Sequence, residues 1–179
     1  MALKARLKPG ETLGDRVMKV DHAGEHGAIC IYTAQRWFAR WRAPDMIDEL
    51  DAFLAHERGH RALFEVELQR RNRRRCRSYA LCGIGGLILG GVTGLAGRQA
   101  IAATTVAVEH VVLRHMREQL RMLASLDEQA AEILRAVISE EQEHHDISAA
   151  RLTSGFWPKL ITPIVSVSTE AVIWLGMRL

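Results

Sequence analysis

Apolar residues recur with the 3.6-residue period of amphipathic helices along most of this 179-residue chain. The period predicts a first helix from about Asp15 to Arg42, which ends before Pro44. Asp45 then has the position and the side chain of a helix cap, so we expect a second helix from there to an arginine-rich run. The pattern therefore predicts an all-α protein.

Two more long helices and an apolar terminal helix are predicted in the second half of the chain. They cover about Gln99 to Ala124, the stretch from a turn at Ser125 to Asp127 as far as about Thr153, and about Val167 to Leu179. No flexible linker or low-complexity tail interrupts the pattern. We therefore expect residues 1–179 to form one domain.

Residues 78–97 form a notably apolar segment, which carries no charge and includes seven glycines. About 20 apolar residues suffice to cross a bilayer. Gly86, Gly90 and Gly94 would line one face of a helix, a pattern suited to close contact between helices. The segment is therefore a candidate for membrane contact or for close packing.

A carboxylate interrupts the apolar stripe of each of the four long helices. Burial of an unpaired carboxylate costs several kcal/mol, and four like charges close together cost more. The pattern therefore requires a cation inside a helical bundle. The four residues are Glu25, Glu57, Glu109 and Glu141.

Histidines at a fixed spacing strengthen this inference. His60 follows Glu57 by three residues, so both side chains project from one helix face, and His144 follows Glu141 in the same way. Each of the other two carboxylates precedes one of these E-x-x-H pairs by 32 residues. The repeated arrangement is the ligand scheme of ferritin-like di-iron and di-manganese carboxylate bundles.

The types of ligand limit the choice of metal. Four carboxylates and two neutral imidazoles carry four negative charges, which two divalent cations neutralise. Oxygen ligands with imidazole suit iron or manganese, whereas structural zinc prefers thiolates in a four-coordinate shell. One E-x-x-H pair alone is weak evidence, because an acidic stretch such as SEEQEHHD is also typical of a solvated helix surface. The repeat of the whole unit, in phase with four apolar stripes, favours a di-metal site.

Composition excludes several classes of protein. The 48% apolar and 25% charged contents are those of a globular protein rather than a disordered chain. Aromatic residues make up only 6%, which argues against a β-sandwich or barrel. Cys30, Cys76 and Cys82 form no C-x-x-C pair, so a disulfide scaffold is excluded and a reducing compartment is expected.

The net charge of +3 owes much to a local run of six arginines between Arg70 and Arg77, directly before the apolar segment. Such a run attracts anionic lipid headgroups. No aromatic or groove-binding motif accompanies it, so an anionic membrane surface is favoured and no nucleic-acid partner is expected.

A single membrane crossing at residues 78–97 is inconsistent with the predicted metal site. It would place Glu25 and Glu57 on one side of the membrane and the other two carboxylates on the opposite side. We therefore expect the segment to lie in the membrane interface, to dip in and return, or to pack between protein surfaces.

Four segments resemble the membrane-associated di-iron hydroxylases of ubiquinone biosynthesis, the 5-demethoxyubiquinone hydroxylase family. They are VDHAGEHGA (Val20 to Ala28), HERGH (His56 to His60), TTVAVE (Thr104 to Glu109) and SEEQEHHD (Ser139 to Asp146). The resemblance covers nearly everything after Asp15. It implies a ferritin-like four-helix bundle that hydroxylates the ring of a prenylated quinol with O₂ at two iron ions, using electrons from NADH or another reductant.

The resemblance also implies a ligand set, in which Glu57 and Glu141 bridge the irons. The implied ligands are Glu25, Glu57, His60, Glu109, Glu141 and His144. Because a polyprenyl quinol is too apolar to leave the bilayer, we expect a peripheral, monotopic protein on the cytoplasmic face of the inner membrane. The expected partners are the quinol, the membrane, and either a second copy of the chain or other proteins of ubiquinone biosynthesis.

This sequence departs from the family pattern at three positions. His26 and Met116 stand where the family usually has tyrosine, and His110 stands where it usually has glutamate. Met116 follows Glu109 by two helical turns and is therefore expected to face the site. If a tyrosine at that place serves an electron or proton relay, this protein lacks it.

Three histidines are candidates for contacts around the ligands or with the substrate, namely His22, His26 and His115. Ordinary packing or a surface position is the alternative for each. Glu140 and Asp146 are candidates to orient the ligand imidazoles, because a metal-bound histidine usually donates its other N–H to an acceptor.

Three other functions remain open on the sequence alone. A ferritin-like iron-binding or storage protein would use the same bundle but has no need of the apolar segments. A di-iron or manganese oxidase acting on another membrane lipid would need both the bundle and the apolar segments. A membrane-docked scaffold with a purely structural metal would consume no O₂.

Overall fold

The computed structural model describes residues 5–179, and over this range it contains six α-helices and one short 3₁₀ turn, without any strand. The elements are α1 (Leu13–Arg42), the 3₁₀ turn (Pro44–Met46), α2 (Ile47–Arg70), α3 (Tyr79–Ala96), α4 (Arg98–Leu123), α5 (Glu128–Ala150) and α6 (Phe156–Gly176). The predicted all-α class is confirmed.

Helices α1, α2, α4 and α5 form the predicted four-helix, ferritin-like bundle, and its interior contains two apolar clusters. On α1, Met18 belongs to one cluster and Ile31 to the other, and on α2, Phe64 and Phe53 divide in the same way. The polar residues between the two clusters therefore lie midway along the bundle, with apolar packing on either side of them along its axis.

Local hydrogen bonds decide where the first two helices begin. The Thr12 hydroxyl accepts from the backbone N–H of Asp15 (3.1 Å), and the Asp15 carboxylate accepts from the N–H of Thr12 (2.9 Å), which forms a capping box. The predicted cap of α2 is wrong. Pro44 favours the first position of a helical turn, so Asp45 lies inside that turn and pairs instead with Arg98 (3.0 Å from Nε).

Helix α3 is one continuous helix that runs parallel to α1 and packs closely along it. Gly86 lies over the backbone of Gly27, and Gly90 lies over the backbone of Ile31. A Cβ atom added at Gly90 would lie 2.8 Å from the Cα of Ile31. The predicted role of the glycine face in a helix–helix contact is therefore correct, and its partner is α1.

The terminal helix α6 is longer than predicted, because it begins at Phe156 rather than near Val167. Pro158 lies in the first turn, where its missing N–H needs no partner. Pro163 lies inside the helix and removes one backbone hydrogen bond. Burial of Ile161 against alanines of α4 favours the helix in spite of both prolines.

Helices α3 and α6 form an outer layer over α1 and α4. Leu89 of α3 packs against the cluster shared by α4 and α6, and the two outer helices run antiparallel, with Cys76 Sγ 3.9 Å from the carbonyl oxygen of Gly176. Both are long and apolar enough to cross a membrane, and both are largely exposed. The exposed apolar side chains are Leu81, Ile84, Leu87, Ile88, Val92 and Leu95 on α3, and Phe156, Trp157, Leu160, Ile164, Val167 and Trp174 on α6.

Candidate metal centre

The six predicted ligand residues lie together in the middle of the bundle, and all six are buried. They form two groups, and within each group the donor atoms all lie within 4.8 Å of one another. Two carboxylates, Glu57 and Glu141, belong to both groups. The first group is Glu25, Glu57, His60 and Glu141, and the second is Glu57, Glu109, Glu141 and His144.

Each histidine of the centre reaches across the bundle to the carboxylate of the other E-x-x-H pair. His60 Nδ1 lies 3.0 Å from Glu141 Oε1, and His144 Nδ1 lies 3.4 Å from Glu57 Oε1. The three-residue spacing puts both side chains of a pair on one helix face, so α2 and α5 present matching pairs to each other. The two shared carboxylates are therefore placed where they can contact two ions.

The outer nitrogens of both rings have partners of their own. His60 Nε2 lies 3.0 Å from Glu140 Oε2, and His144 Nε2 lies 3.0 Å from His56 Nδ1. With Nε2 engaged, Nδ1 of each ring faces the carboxylates. Of the two predicted orienting acids, Glu140 is therefore in place, whereas Asp146 is not, because it contacts only neighbours on its own helix.

Two polar contacts at the centre were not predicted from the sequence. The Tyr32 hydroxyl is buried and donates to Glu109 Oε1 (2.9 Å). Tyr32 follows Glu25 by two helical turns, so its position on the same face was the available signal. His56 directly precedes Glu57 in the segment HERGH, but adjacent residues on a helix point in different directions, and nothing in the pattern placed it against α5.

Burial changes the pKa of the carboxyl groups at the centre. Burial, together with the charge of a neighbouring carboxylate, raises the pKa of Glu25, Glu57 and Glu109 well above the usual range. Burial also acts to raise the pKa of Glu141, but its polar interactions with Glu109 and His60 outweigh this effect, so the pKa is lowered. The interior therefore accommodates four carboxylate charges only if cations neutralise them.

The donor set fits two divalent metal ions. Among the six ligand residues, three buried side-chain atoms make no well-directed hydrogen bond, namely Glu57 Oε1, His60 Nδ1 and His144 Nδ1. Burial lowers the pKa of His144 to about 4, which keeps its imidazole in the neutral, metal-binding form. Carboxylate oxygens with imidazole nitrogens are ligands that iron and manganese accept, and a metal would satisfy the three unpartnered atoms.

The three other candidate histidines lie outside this cluster. His22 Nε2 pairs with a carboxylate of α2 (2.7 Å), and His26 stacks on Tyr79 with ring centroids 4.0 Å apart. His115 Nε2 lies 3.0 Å from Glu170, which ties α4 to α6. Each of them therefore contributes to packing between helices.

The remaining two departures from the family pattern are also placed by the structure. Met116 is buried in the apolar cluster that contains Met18 and Phe64. His110 is exposed, with its ring centroid 6.5 Å from that of His145. Neither residue belongs to the two donor groups.

Comparison with known proteins agrees with this geometry. The family model of the Ubiquinone biosynthesis protein COQ7 matches residues 12–176. The chain belongs to this family. The resemblance predicted from the four sequence segments is thereby confirmed, and the matched range contains all six residues of the centre.

Relatives in the COQ7 family come from distant organisms. Proteins named NADPH-dependent 3-demethoxyubiquinone 3-hydroxylase, mitochondrial, from Dictyostelium discoideum and Mus musculus are 32% and 33% identical to this chain. A protein from Rhodospirillum rubrum named 3-demethoxyubiquinol 3-hydroxylase is 30% identical. Each alignment covers 92% of this chain and 76% or 77% of the relative.

Proposed function

We propose that this COQ7-family protein is a di-iron monooxygenase that hydroxylates the ring of a demethoxyubiquinol-type prenylated quinol. The observation that carries the proposal is the pair of buried donor groups that share Glu57 and Glu141. The names of the relatives support the reaction class, because each is a hydroxylase of a demethoxyubiquinone or demethoxyubiquinol.

The overall reaction balances with one O₂ and one pair of electrons. One oxygen atom is inserted into a ring C–H bond. The other leaves as water after it takes up two electrons from NADH or another reductant and two protons, at least one of which comes from the solvent. Two bound iron ions would supply the redox chemistry and the open coordination positions that O₂ activation requires. The protein supplies the ligands, their orientation and the exclusion of water.

The residues of this chain would hold the two ions in a symmetric pattern. Glu25 and His60 would hold one ion, Glu109 and His144 would hold the other, and Glu57 and Glu141, which belong to both donor groups, would be shared between them. Glu140 holds Nε2 of one ligand histidine, so that Nδ1 is the atom available to metal. The Tyr32 hydroxyl fixes one carboxylate oxygen of Glu109, which limits its rotation.

The outer layer of α3 and α6 supports a peripheral position on the membrane, which we propose is the cytoplasmic face of the inner membrane. A polyprenyl quinol stays in the bilayer, so its hydroxylase must dock there. The chain has four tryptophans, at positions 37, 41, 157 and 174, and all four are exposed, as is typical of side chains at a membrane–water interface. A soluble iron-storage protein would have no use for this layer, so storage is the weaker candidate.

Metal content tests the proposed centre. Protein isolated under reducing conditions is expected to hold about two irons per chain, and Glu57→Ala or His144→Ala should lose most of them because each removes a ligand from the centre. Glu143→Ala, an exposed position on the same helix as His144, is the matched control and should keep both irons. One zinc per chain, unchanged by these substitutions, would contradict a di-iron centre.

Substrate conversion tests the reaction. With a reductant and a short-tailed demethoxyquinol, we expect O₂ consumption and a product heavier by one oxygen atom, detected by mass spectrometry. Cells that lack this protein should accumulate a demethoxyquinone, and the intact gene should remove it. Full iron loading with no O₂ consumption and no such accumulation would point to a structural metal or to storage.

A further inference from the structure

The arginine-rich run divides into two sets with different roles. Arg71 is held by Asp127 (2.6 Å) and by Glu67 (2.6 Å), and Arg70 is held by the same glutamate (2.7 Å). Arg73 pairs with a carboxylate at the start of α1 (2.9 Å). The first half of the run therefore pairs with carboxylates of the fold, with Arg71 joining α2 to the start of α5 and Arg73 joining it to the start of α1, while the attraction of the run to lipid headgroups stays a prediction.

A specific backbone motif at the end of α2 changes the direction of the chain before the second half of the arginine-rich run. Asn72 has a φ of 52°, a left-handed conformation that asparagine tolerates better than most residues. Its N–H donates to the carbonyl of Gln69 (2.9 Å), and the N–H of Arg73 donates to the carbonyl of Leu68 (2.8 Å), which is the Schellman ending of a helix. The chain therefore reverses and faces the segment that leads into α1.

This reversal builds a basic cleft of about 470 Å³ between the α2–α3 connection and the N-terminal part of the chain. Six of its seven lining residues carry a positive charge. The charged residues are Lys8, Lys19, Arg73, Arg74, Arg75 and Arg77, and the seventh residue is Asn72.

Acidic side chains neutralise only part of this charge. Glu11 is occupied by Lys19 and by a buried arginine, both at 2.7 Å. The side chains of Lys8, Arg74 and Arg77 have no acidic partner among residues 5–179. Arg75 lies over an aromatic ring, 4.6 Å from its centroid, and it also lacks a carboxylate partner in that range. The cleft therefore presents four uncompensated positive charges.

We propose that this cleft binds a phosphate group, carried by a phospholipid headgroup or by a soluble phosphate compound. Guanidinium groups match the geometry of phosphate oxygens, and several of them converge here. Tyr79, the ring beneath Arg75, is the first residue of α3, so the cleft adjoins the edge of the apolar outer layer. The headgroups of a bilayer that contacts the outer layer would therefore lie next to the cleft.

The test measures binding by full-length, iron-loaded protein, which is kept in detergent for the soluble-ligand arm and is freed of detergent before it is mixed with vesicles. One arm titrates inorganic pyrophosphate in a calorimeter, and the other sediments the protein with phosphatidylcholine vesicles that contain or lack phosphatidylglycerol. The variant carries Arg74→Gln, Arg75→Gln and Arg77→Gln. A control with the same change of charge carries substitutions at exposed arginines of α4 and α5, namely Arg117→Gln, Arg121→Gln and Arg135→Gln.

The cleft variant should bind its phosphate source roughly 100-fold more weakly, whereas the control should stay within about twofold of the unaltered protein. Loss in the vesicle arm alone identifies a lipid headgroup, and loss in the pyrophosphate arm identifies a soluble phosphate compound. Equal losses in both variants, or no binding in either arm, would overturn the proposal. Iron content and thermal unfolding report folding separately, so failure here is distinguishable from failure of the di-iron proposal.

Discussion

Substitution of Gly90 by alanine should separate α3 from α1. A Cβ atom at this position would overlap the carbonyl oxygen of Ile31 and would lie 2.8 Å from its Cα. Carbon atoms in contact prefer about 3.5 to 4.0 Å, so the two helices would have to move apart by about 1 Å. Both atoms belong to the backbone of α1, so no side-chain rotation relieves the overlap.

Gly85 provides the matched control on the same helix. It is exposed, and a Cβ atom there would meet nothing within 4 Å. Alanine gains about 1 kcal/mol of helix propensity over glycine at either position, so the difference between the two variants isolates the overlap. Overpacking of this kind costs roughly 1 to 3 kcal/mol, and contact with backbone favours the upper half of that range.

The assay is thermal unfolding of both variants in the same detergent with the same iron content. Gly90→Ala should unfold roughly 5 to 10 °C below Gly85→Ala, from the entropy of unfolding of a domain of this size. Equal midpoints would refute the reasoning, because they would show that α3 does not rest directly on the backbone of α1.

Two further substitutions probe polar groups in the bundle. Burial raises the pKa of Asp21 from 3.8 to about 7, so the charged carboxylate destabilises the folded state increasingly between those pH values. The free energy of unfolding of Asp21→Asn, measured in urea, should therefore rise by about 2 to 3 kcal/mol relative to that of the unaltered protein from pH 5 to pH 8. A pH-independent difference would show that Asp21 is not buried beside Gln119. Tyr32→Phe should keep the fold but release iron to a chelator roughly 10-fold more readily, because Glu109 loses its hydrogen bond. Identical chelator titrations would assign Tyr32 to packing alone.

The cluster of six candidate ligands could be predicted because the spacing of these residues is periodic and because a buried carboxylate is energetically costly unless it is neutralised. A carboxylate in an apolar stripe is unfavourable at any single position, and Glu57 with His60 repeats at Glu141 with His144 on a second hairpin. Helix geometry alone then brings each pair to one face. The supporting contacts of His56 and Tyr32 depend on how the helices are rotated against one another, which the sequence pattern does not define.

The start of α6 and the contacts of the first arginines of the run were not predicted, because both depend on contacts between distant parts of the chain. Pro158 and Pro163 disfavour a helix locally, and only packing on α4 shows that α6 includes them. Arg71 is an ordinary member of a basic run until the fold brings Asp127 to it from 56 residues away. Local charge density therefore could not show which arginines are structural.

The cross-bundle pairing of His60 with Glu141, and of His144 with Glu57, has a consequence for biosynthesis. Each donor group takes three of its four residues from one hairpin and the fourth from the other, so a nascent chain that ends before α5 lacks at least one residue of both groups. Both donor groups are therefore complete only after both hairpins have been synthesised and have docked.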